Sequence, residues 1–196
     1  MASEFQLRRE IIRIGEDLHR LGFVPATDGN ISARLDENFM LITPSTESKG
    51  RLSPESIVKI SLDGKKIMGS KRPSSEFLMH LFIYRMRPGI NAVVHAHPPF
   101  ATGFAAAGIP LDKPILAEAL VSLGGRVPLA KYGRPGTEEV GKSLSEFIDK
   151  HNAVLLANHG AVCYAESLQQ ASWLMETTEH FAKICFIAEL LGKQRI

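Results

Sequence analysis

The chain has 196 residues, with 23 Lys and Arg against 21 Asp and Glu, a formal net charge of +2, 44% hydrophobic and 22% charged residues. That length predicts one domain over 1–196 with a sizeable core, and the interspersed charges exclude a nucleic-acid groove or a membrane-surface patch. Cys163 and Cys185 form neither a C-x-x-C pair nor a disulfide framework, the first ten residues lack the apolar core of a secretory signal, and no apolar stretch reaches the length of a membrane span, so a cytoplasmic setting is expected.

Leu7, Ile11, Ile14 and Leu18 fall at helical spacing and predict an amphipathic helix over 4–21, with Gly22 just past its end. Thr27-Asp28-Gly29-Asn30 is a turn leading into a strand over 31–35, and Asp36-Glu37-Asn38 turns the chain back into a strand over 39–43. Residues 57–67 read as a hairpin around Asp63-Gly64. Ser74-Ser75-Glu76 opens a helix through about 86, a Ser cap with an acid in the first turn, and Pro88-Gly89 ends it. The apolar run Ala92-Val93-Val94 predicts a strand that carries His95 and His97 and stops at Pro98-Pro99. A helix over 98–107, strand and loop over 124–135, a helix from 137 to about 150, a strand from 153 to His159 that returns through 164, and a long helix over 167–191 complete the chain. Hairpins outnumber helical crossovers, so the expected fold is α/β, a central and mostly antiparallel mixed sheet with helices on both faces.

The chemistry concentrates at strand ends. Residues two apart in a strand share a face, so His95 and His97 point into one site and supply half of a tetrahedral metal centre. An H-x-H pair arises readily by chance among seven histidines. The segment Ala153 to Gly160, another apolar run ending in a histidine, His159, tips the balance toward a three-His catalytic metal site with an open position. His19, His80, His151 and His180 carry no such pattern. His19 and His180 read as helix-surface residues and His151 as a loop residue. Three further segments suit an anion. Gly29-Asn30 offers a tight turn with an amide, Thr43-Pro44-Ser45 offers hydroxyls after a strand, and Ser74-Ser75 stand at a helix N-terminus. Each is ordinary on its own as a turn, a strand end and a cap. Glu76 is ordinary as a helix-dipole partner, but beside a metal and an anion it is placed to move a proton.

These motifs, in this order, resemble the class II aldolase/adducin-type family over nearly the whole chain. The resemblance rests on Asp28-Gly29-Asn30-Ile31-Ser32, Ile42-Thr43-Pro44-Ser45, Lys71 to Glu76, Ala92 to Pro99, Tyr132 to Thr137 and Leu155 to Gly160. It implies a three-layer α/β/α sandwich and a homotetramer with active sites at subunit interfaces. It also implies one Zn²⁺ per chain on His95, His97 and His159, with Glu76 as acid/base and as a metal ligand when no substrate is bound. Asn30, Thr43, Ser74, Ser75 and, less directly, Ser45 would hold a substrate phosphate. The implied reaction is retro-aldol cleavage of a ketose 1-phosphate, similar to L-fuculose 1-phosphate, to dihydroxyacetone phosphate and an aldehyde. A 4-epimerase, a decarboxylase of a phosphorylated oxo-acid or a dehydratase would use the same metal site, and an adducin-like binding module would keep the fold without the chemistry. The four metal and acid/base residues argue against the last. Two departures stand against fuculose phosphate and the 4-epimerase. The stretch Leu116-Ala117-Glu118-Ala119-Leu120 has no tyrosine where fuculose-phosphate aldolases carry a second proton donor, leaving Glu118 as the candidate second acid, and the chain ends soon after its last predicted helix. That helix carries Trp173, Met175, Phe181, Phe186 and Ile187, broad apolar cover that fits either a core or a subunit contact.

Overall fold

A computed structural model describes residues 2–192. The chain builds an eight-stranded sheet from β1 Asn30–Arg34, β2 Phe39–Ile42, β3 Val58–Ser61, β4 Lys66–Met68, β5 Ala92–Ala96, β6 Leu129–Ala130, β7 Ala153–Leu156 and β8 Gly160–Ala165. The strand order is β4-β3-β2-β1-β5-β8-β7-β6. All neighbours are antiparallel except β6 and β7, which are parallel. Short turns join β1 to β2, β3 to β4 and β7 to β8, a longer segment, 43–57, joins β2 to β3, and β5 lies between β1 and β8. Every residue of β5 is buried, as an apolar strand covered on both faces should be.

The helices are α1 Glu4–Arg20, α2 Phe77–Met86, α3 Pro99–Ala106, α4 Ala117–Leu123, α5 Glu138–Ser143 and α6 Leu168–Leu190. They form two layers. Ile11, Ile14 and Leu18 of α1, Phe104 of α3, and Met175 and Phe181 of α6 pack with Ile31, Val94 and Leu155 on one face of the sheet. Met79, Ile83 and Tyr84 of α2 and Val140 of α5 pack with Met40, Ile42, Val93 and Val154 on the other. Val93 and Val94 serve opposite cores, the alternation a strand requires. The expected α/β/α sandwich with a mostly antiparallel mixed sheet is the architecture found. No helix among the described residues is long and apolar enough to cross a membrane.

Four local expectations change. First, α2 starts at Phe77, with Glu76 as its N-cap residue and Ser74 and Ser75 ahead of it. The backbone N–H of Glu76 donates to Ser74 Oγ at 3.3 Å, so the serine acts two residues ahead of the cap position. Second, α5 stops at Ser143 and gives way to turns up to 150. There the hydroxyls of Ser143 and Ser145 donate to carbonyls three residues back, Val140 at 2.8 Å and Lys142 at 2.8 Å, and compete with the helical ladder. Third, α4 has no counterpart in the sequence expectations. It lacks a side-chain cap and leaves Leu120 and Val121 exposed, so neither a cap nor an apolar stripe announces it. Fourth, His159 lies in the turn between β7 and β8, after Asn158 in the left-handed region at φ +55°, rather than at a strand end. In α6, Met175 and Phe181 are core residues, while Trp173, Phe186 and Ile187 are exposed.

Candidate active site

Sheet register assembles the site. β1 pairs with β5 so that Asn30 lies opposite His95, and β8 pairs on the other side so that Val162 lies opposite His95. His97 follows directly after β5, and the β7–β8 turn delivers His159. The three rings meet with centroids 5.0 Å apart for His95 and His97, 4.6 Å for His95 and His159, and 5.2 Å for His97 and His159. One ligand atom from each lies within 4.8 Å of the others.

Hydrogen bonds fix how two of the rings face. His95 Nδ1 sits 2.9 Å from the Ala161 carbonyl and His97 Nδ1 sits 3.3 Å from Asp28 Oδ2. A carbonyl and a carboxylate only accept, so both Nδ1 atoms carry hydrogen and both Nε2 atoms of the neutral rings present lone pairs. Those Nε2 atoms are 3.2 Å apart. Two lone pairs aimed at each other at that range repel, so the contact calls for a proton on one ring or a metal ion held by both. Two nitrogens each about 2.0–2.1 Å from one ion at the tetrahedral angle would be separated by about 3.3 Å. A carbonyl or carboxylate behind each ring is also the usual support of a metal-bound histidine. The donor set therefore fits a metal ion.

Glu76 faces the same space. Its Oε2 lies 3.1 Å from His95 Nε2 and its Oε1 lies 3.3 Å from His159 Nε2. Asn30 Nδ2 donates to Oε2 at 2.8 Å. Burial by itself would raise the Glu76 pKa, but His95, then His159 and the Asn30 amide, hold the carboxyl well below the usual carboxylate range. Burial opposes charge on His95 as well, yet Glu76 outweighs it and raises that pKa. His159 is pushed down to about 4 and His97 also falls, in both cases by burial first and by His95 second. Glu76 is thus ionised and His97 and His159 are neutral near pH 7, as metal binding requires, while His95, favoured in its charged form by Glu76, would give up its proton to an ion.

The hydroxyl-bearing segments converge beside Glu76. The backbone N–H groups of Ser74 and Ser45 donate to the Thr43 and Arg72 carbonyls at 3.1 and 3.0 Å, which pins the two loops together. Thr43 Oγ1 is buried and accepts from the backbone N–H of Ile31 at 3.1 Å. Ser74 is buried, Ser45 half-buried and Ser75 exposed. Asn30 gives its side chain to Glu76 and, through Oδ1, to His80 Nε2 at 2.5 Å. Glu118 is exposed on α4. His19 and His180 are on helix surfaces, as expected, and His151 is buried at the end of its loop.

Several residues at or behind the site were given no role by the sequence, although Asp28 and Ser32 flank Asn30 in the Asp28 to Ser32 motif. Asp28 supports His97. His80, Ser32 and Tyr84 form a buried group behind Asn30. Lys49 is fully buried, and its Nζ donates to the Thr27 and Glu47 carbonyls at 2.6 and 2.8 Å, tying the turn before β1 to the loop after β2. Burial pushes its pKa down to about 8. Glu179 of α6 accepts from the backbone N–H groups of Phe100 and Ala101 at 3.0 and 2.8 Å, which anchors the chain just after His97. The signal available was a polar residue among the apolar positions of α6 for Glu179, while Lys49, in the polar stretch Thr46 to Arg51, offered none.

Gly160 shows how closely the parts fit. A Cβ there would lie 2.5 Å from the Ala96 carbonyl and 2.6 Å from His97 Cδ2. Gly160→Ala is expected to cost about 1–3 kcal/mol as an overpacked site and to lower metal affinity by displacing His97. Urea denaturation and metal titration check both, and a variant unchanged in both measurements would show that the turn has room.

A model of the class II aldolase and adducin N-terminal domain matches residues 9–186. The chain is 37% identical over 187 residues to a 3-oxo-tetronate 4-phosphate decarboxylase of Escherichia coli strain K12, covering 94% of this chain and 88% of that protein. It is 34% identical over 190 residues to a 5-deoxy-D-ribulose 1-phosphate aldolase of Bacillus thuringiensis serovar kurstaki, covering 96% and 88%. A solved L-fuculose 1-phosphate aldolase superposes with a TM-score of 0.92 at 33% identity, covering 100% of this chain and 92% of that one.

Proposed function

The chain belongs to the class II aldolase and adducin family, and from that premise we propose that it is a metal-dependent carbon–carbon lyase that removes CO₂ from a four-carbon 3-oxo acid phosphate. One observation carries the reading. Among the described residues, Glu76 is the one buried carboxylate within reach of the three histidines. A single proton mover suffices for decarboxylation, whereas retro-aldol cleavage also needs a base for the C4 hydroxyl, whose oxygen becomes the carbonyl of the aldehyde. The 37% identity to the E. coli decarboxylase supports the same choice.

His95, His97 and His159 would hold the ion, which we assign as Zn²⁺, with Glu76 an added ligand when no substrate is present. When bound, the ion supplies Lewis-acid polarisation of the substrate's carbonyl. The hydroxyls of Thr43, Ser45, Ser74 and Ser75 bind the phosphate and so orient the reacting carbon toward Glu76. Asn30, whose side chain is held by Glu76 and His80, orients the carboxylate at the edge of that phosphate site. Loss of CO₂ breaks the C1–C2 bond, its electron pair moves toward the C3 oxygen, and Glu76 brings a proton to C2. The product is dihydroxyacetone phosphate. Each turnover takes up one proton, and Glu76, ionised at rest, accepts that proton before it delivers it.

A second reading is favoured by the resemblance to the B. thuringiensis and fuculose-phosphate enzymes. An aldolase acting on a ketose 1-phosphate would pass through the same enediolate of dihydroxyacetone phosphate. Its second acid would be Glu118, exposed on α4, brought to a neighbouring subunit's site in a cytoplasmic homotetramer. Product analysis separates the two readings. With Zn²⁺-loaded protein, CO₂ release from 3-oxo-tetronate 4-phosphate is expected. Aldehyde release from ketose 1-phosphates without any CO₂ from the oxo acid would establish the second reading instead. Ser75→Ala is expected to raise KM roughly 10–100-fold, the loss of one hydrogen bond to a charged group at about 1.5–3 kcal/mol. Equal turnover of the unphosphorylated acid would show that the phosphate pocket is misassigned.

A further inference from the structure

We infer that His80 is the positioning residue that decides which end of the Asn30 amide meets Glu76, through a buried hydrogen-bond chain running Tyr84, Ser32, His80, Asn30, Glu76. The inference rests on Glu76 being the proton mover proposed above. The distances are 2.7 Å from Tyr84 OH to Ser32 Oγ, 2.6 Å from Ser32 Oγ to His80 Nδ1, 2.5 Å from His80 Nε2 to Asn30 Oδ1 and 2.8 Å from Asn30 Nδ2 to Glu76 Oε2. Asn30, Ser32, His80 and Tyr84 are each at most 2% exposed, so each polar atom must find its partner within the group.

The direction of every bond follows from the carboxylate. Glu76 is ionised and only accepts, so Asn30 must present Nδ2 to it. Asn30 Oδ1 then faces His80 and only accepts, so His80 carries its hydrogen on Nε2. A neutral ring leaves Nδ1 bare, and Nδ1 accepts from the Ser32 hydroxyl. Ser32 Oγ in turn accepts from Tyr84, whose hydroxyl needs no donor and so closes the chain. The opposite tautomer of His80 would aim a lone pair at Asn30. The amide would then have to turn Oδ1 against the Glu76 carboxylate, two acceptors face to face at low dielectric. Burial, and His95 nearby, hold the ring neutral, with a pKa pushed down to about 3.

Two elements supply the chain at their own periods. Glu76, His80 and Tyr84 are spaced four apart along α2 from its N-cap, one face of a helix. Asn30 and Ser32 are two apart on β1, one face of a strand. The result is a carboxylate whose two oxygens differ. Oε2 is tied down by Asn30, while Oε1 is buried, makes no hydrogen bond and faces His159 Nε2 at 3.3 Å. Oε1 is therefore the oxygen that carries the proton.

The test has a structural and a kinetic part. In ¹⁵N NMR of the metal-free protein at pH 7, His80 is expected as the Nε2–H tautomer, and Ser32→Ala, which removes the donor to Nδ1 and the acceptor of Tyr84, should keep that tautomer because Asn30 Oδ1 still accepts from Nε2. In turnover, His80→Leu is expected to lower kcat about 10–100-fold, the usual loss for an outer supporting partner, here acting on Glu76 through Asn30, with KM little changed. His80→Gln can donate and accept at similar positions and should recover part of that loss. An Nδ1–H tautomer in the wild type, or wild-type kcat in His80→Leu, would overturn the assignment. If His80→Leu does not fold, Tyr84→Phe at the far end of the chain and the wild-type tautomer still decide. A wild type inactive toward both the oxo acid and the ketose phosphates would overturn the lyase reading, a result distinct from the tautomer measurement, which needs no substrate.

Discussion

Replacing Glu76 with Gln is expected to lower turnover about 10²–10⁴-fold, the contribution of a positioned acid/base, while the three histidines keep their metal. Gln is nearly isosteric and still offers Asn30 an acceptor, so the fold should survive. What it loses is the capacity to take up and deliver a proton. The competing explanation is that Glu76 serves only the N-terminus of α2. Its side chain makes no capping hydrogen bond and turns instead to Asn30, His95 and His159. As a helix-dipole partner alone, its change would cost about 0.3–1 kcal/mol of stability and leave the chemistry intact. Exchange of the hydroxymethyl protons of dihydroxyacetone phosphate with deuterated solvent separates the two explanations by orders of magnitude. Both lyase readings share that enediolate, so the measurement does not depend on which substrate is correct. Exchange by Glu76→Gln at the wild-type rate would remove Glu76 from proton transfer and make Glu118 the next carboxylate to change.

The parts of the site legible in the sequence are those set by local periodicity. His95 and His97 share a face because a strand repeats every two residues, and β5 is apolar enough to be recognised as a strand. His159 is readable only as far as its neighbourhood. That it sits in a turn, with Asn158 left-handed and Gly160 pressed against Ala96, depends on the approach of β8 to β5. Asn30 reads as a turn residue because nothing local announces that the β1–β5 register sets it opposite His95, 65 residues away in the chain. His80 looks like an ordinary histidine on an apolar helix face, since its partners Asn30 and Ser32 are 50 and 48 residues distant. The helix boundaries fail for a related reason. Ser74 and Ser75 carry the marks of a cap, yet the chain uses that turn to join the Thr43 loop before the helix begins.

Changing His159 to Ala is expected to strip the metal and reduce turnover by more than the 10–100-fold that loss of an outer partner costs. A catalytic ion needs three protein ligands and an open position, and His95 and His97 alone supply two. Glu76 is close enough to replace the missing ligand, with Oε2 3.1 Å from His95 Nε2, but a Glu76 committed to the ion is not free to move a proton. Even a variant that retained some metal would therefore lose activity. His95→Ala and His97→Ala should behave alike. Asp28→Ala, which removes only the acceptor at His97 Nδ1, should weaken binding about 10–100-fold without abolishing it. Metal analysis of the purified proteins, with about one Zn²⁺ per chain expected in the wild type, and titration against a chelator give the order of affinities. The order wild type, then Asp28→Ala, then the three histidine variants is what the geometry requires, because Asp28 acts on the ion only through the ring of His97. Full occupancy in His159→Ala would take that residue out of the ligand set. Asp28→Ala falling as far as the histidine variants would mean that the aspartate holds the ion itself.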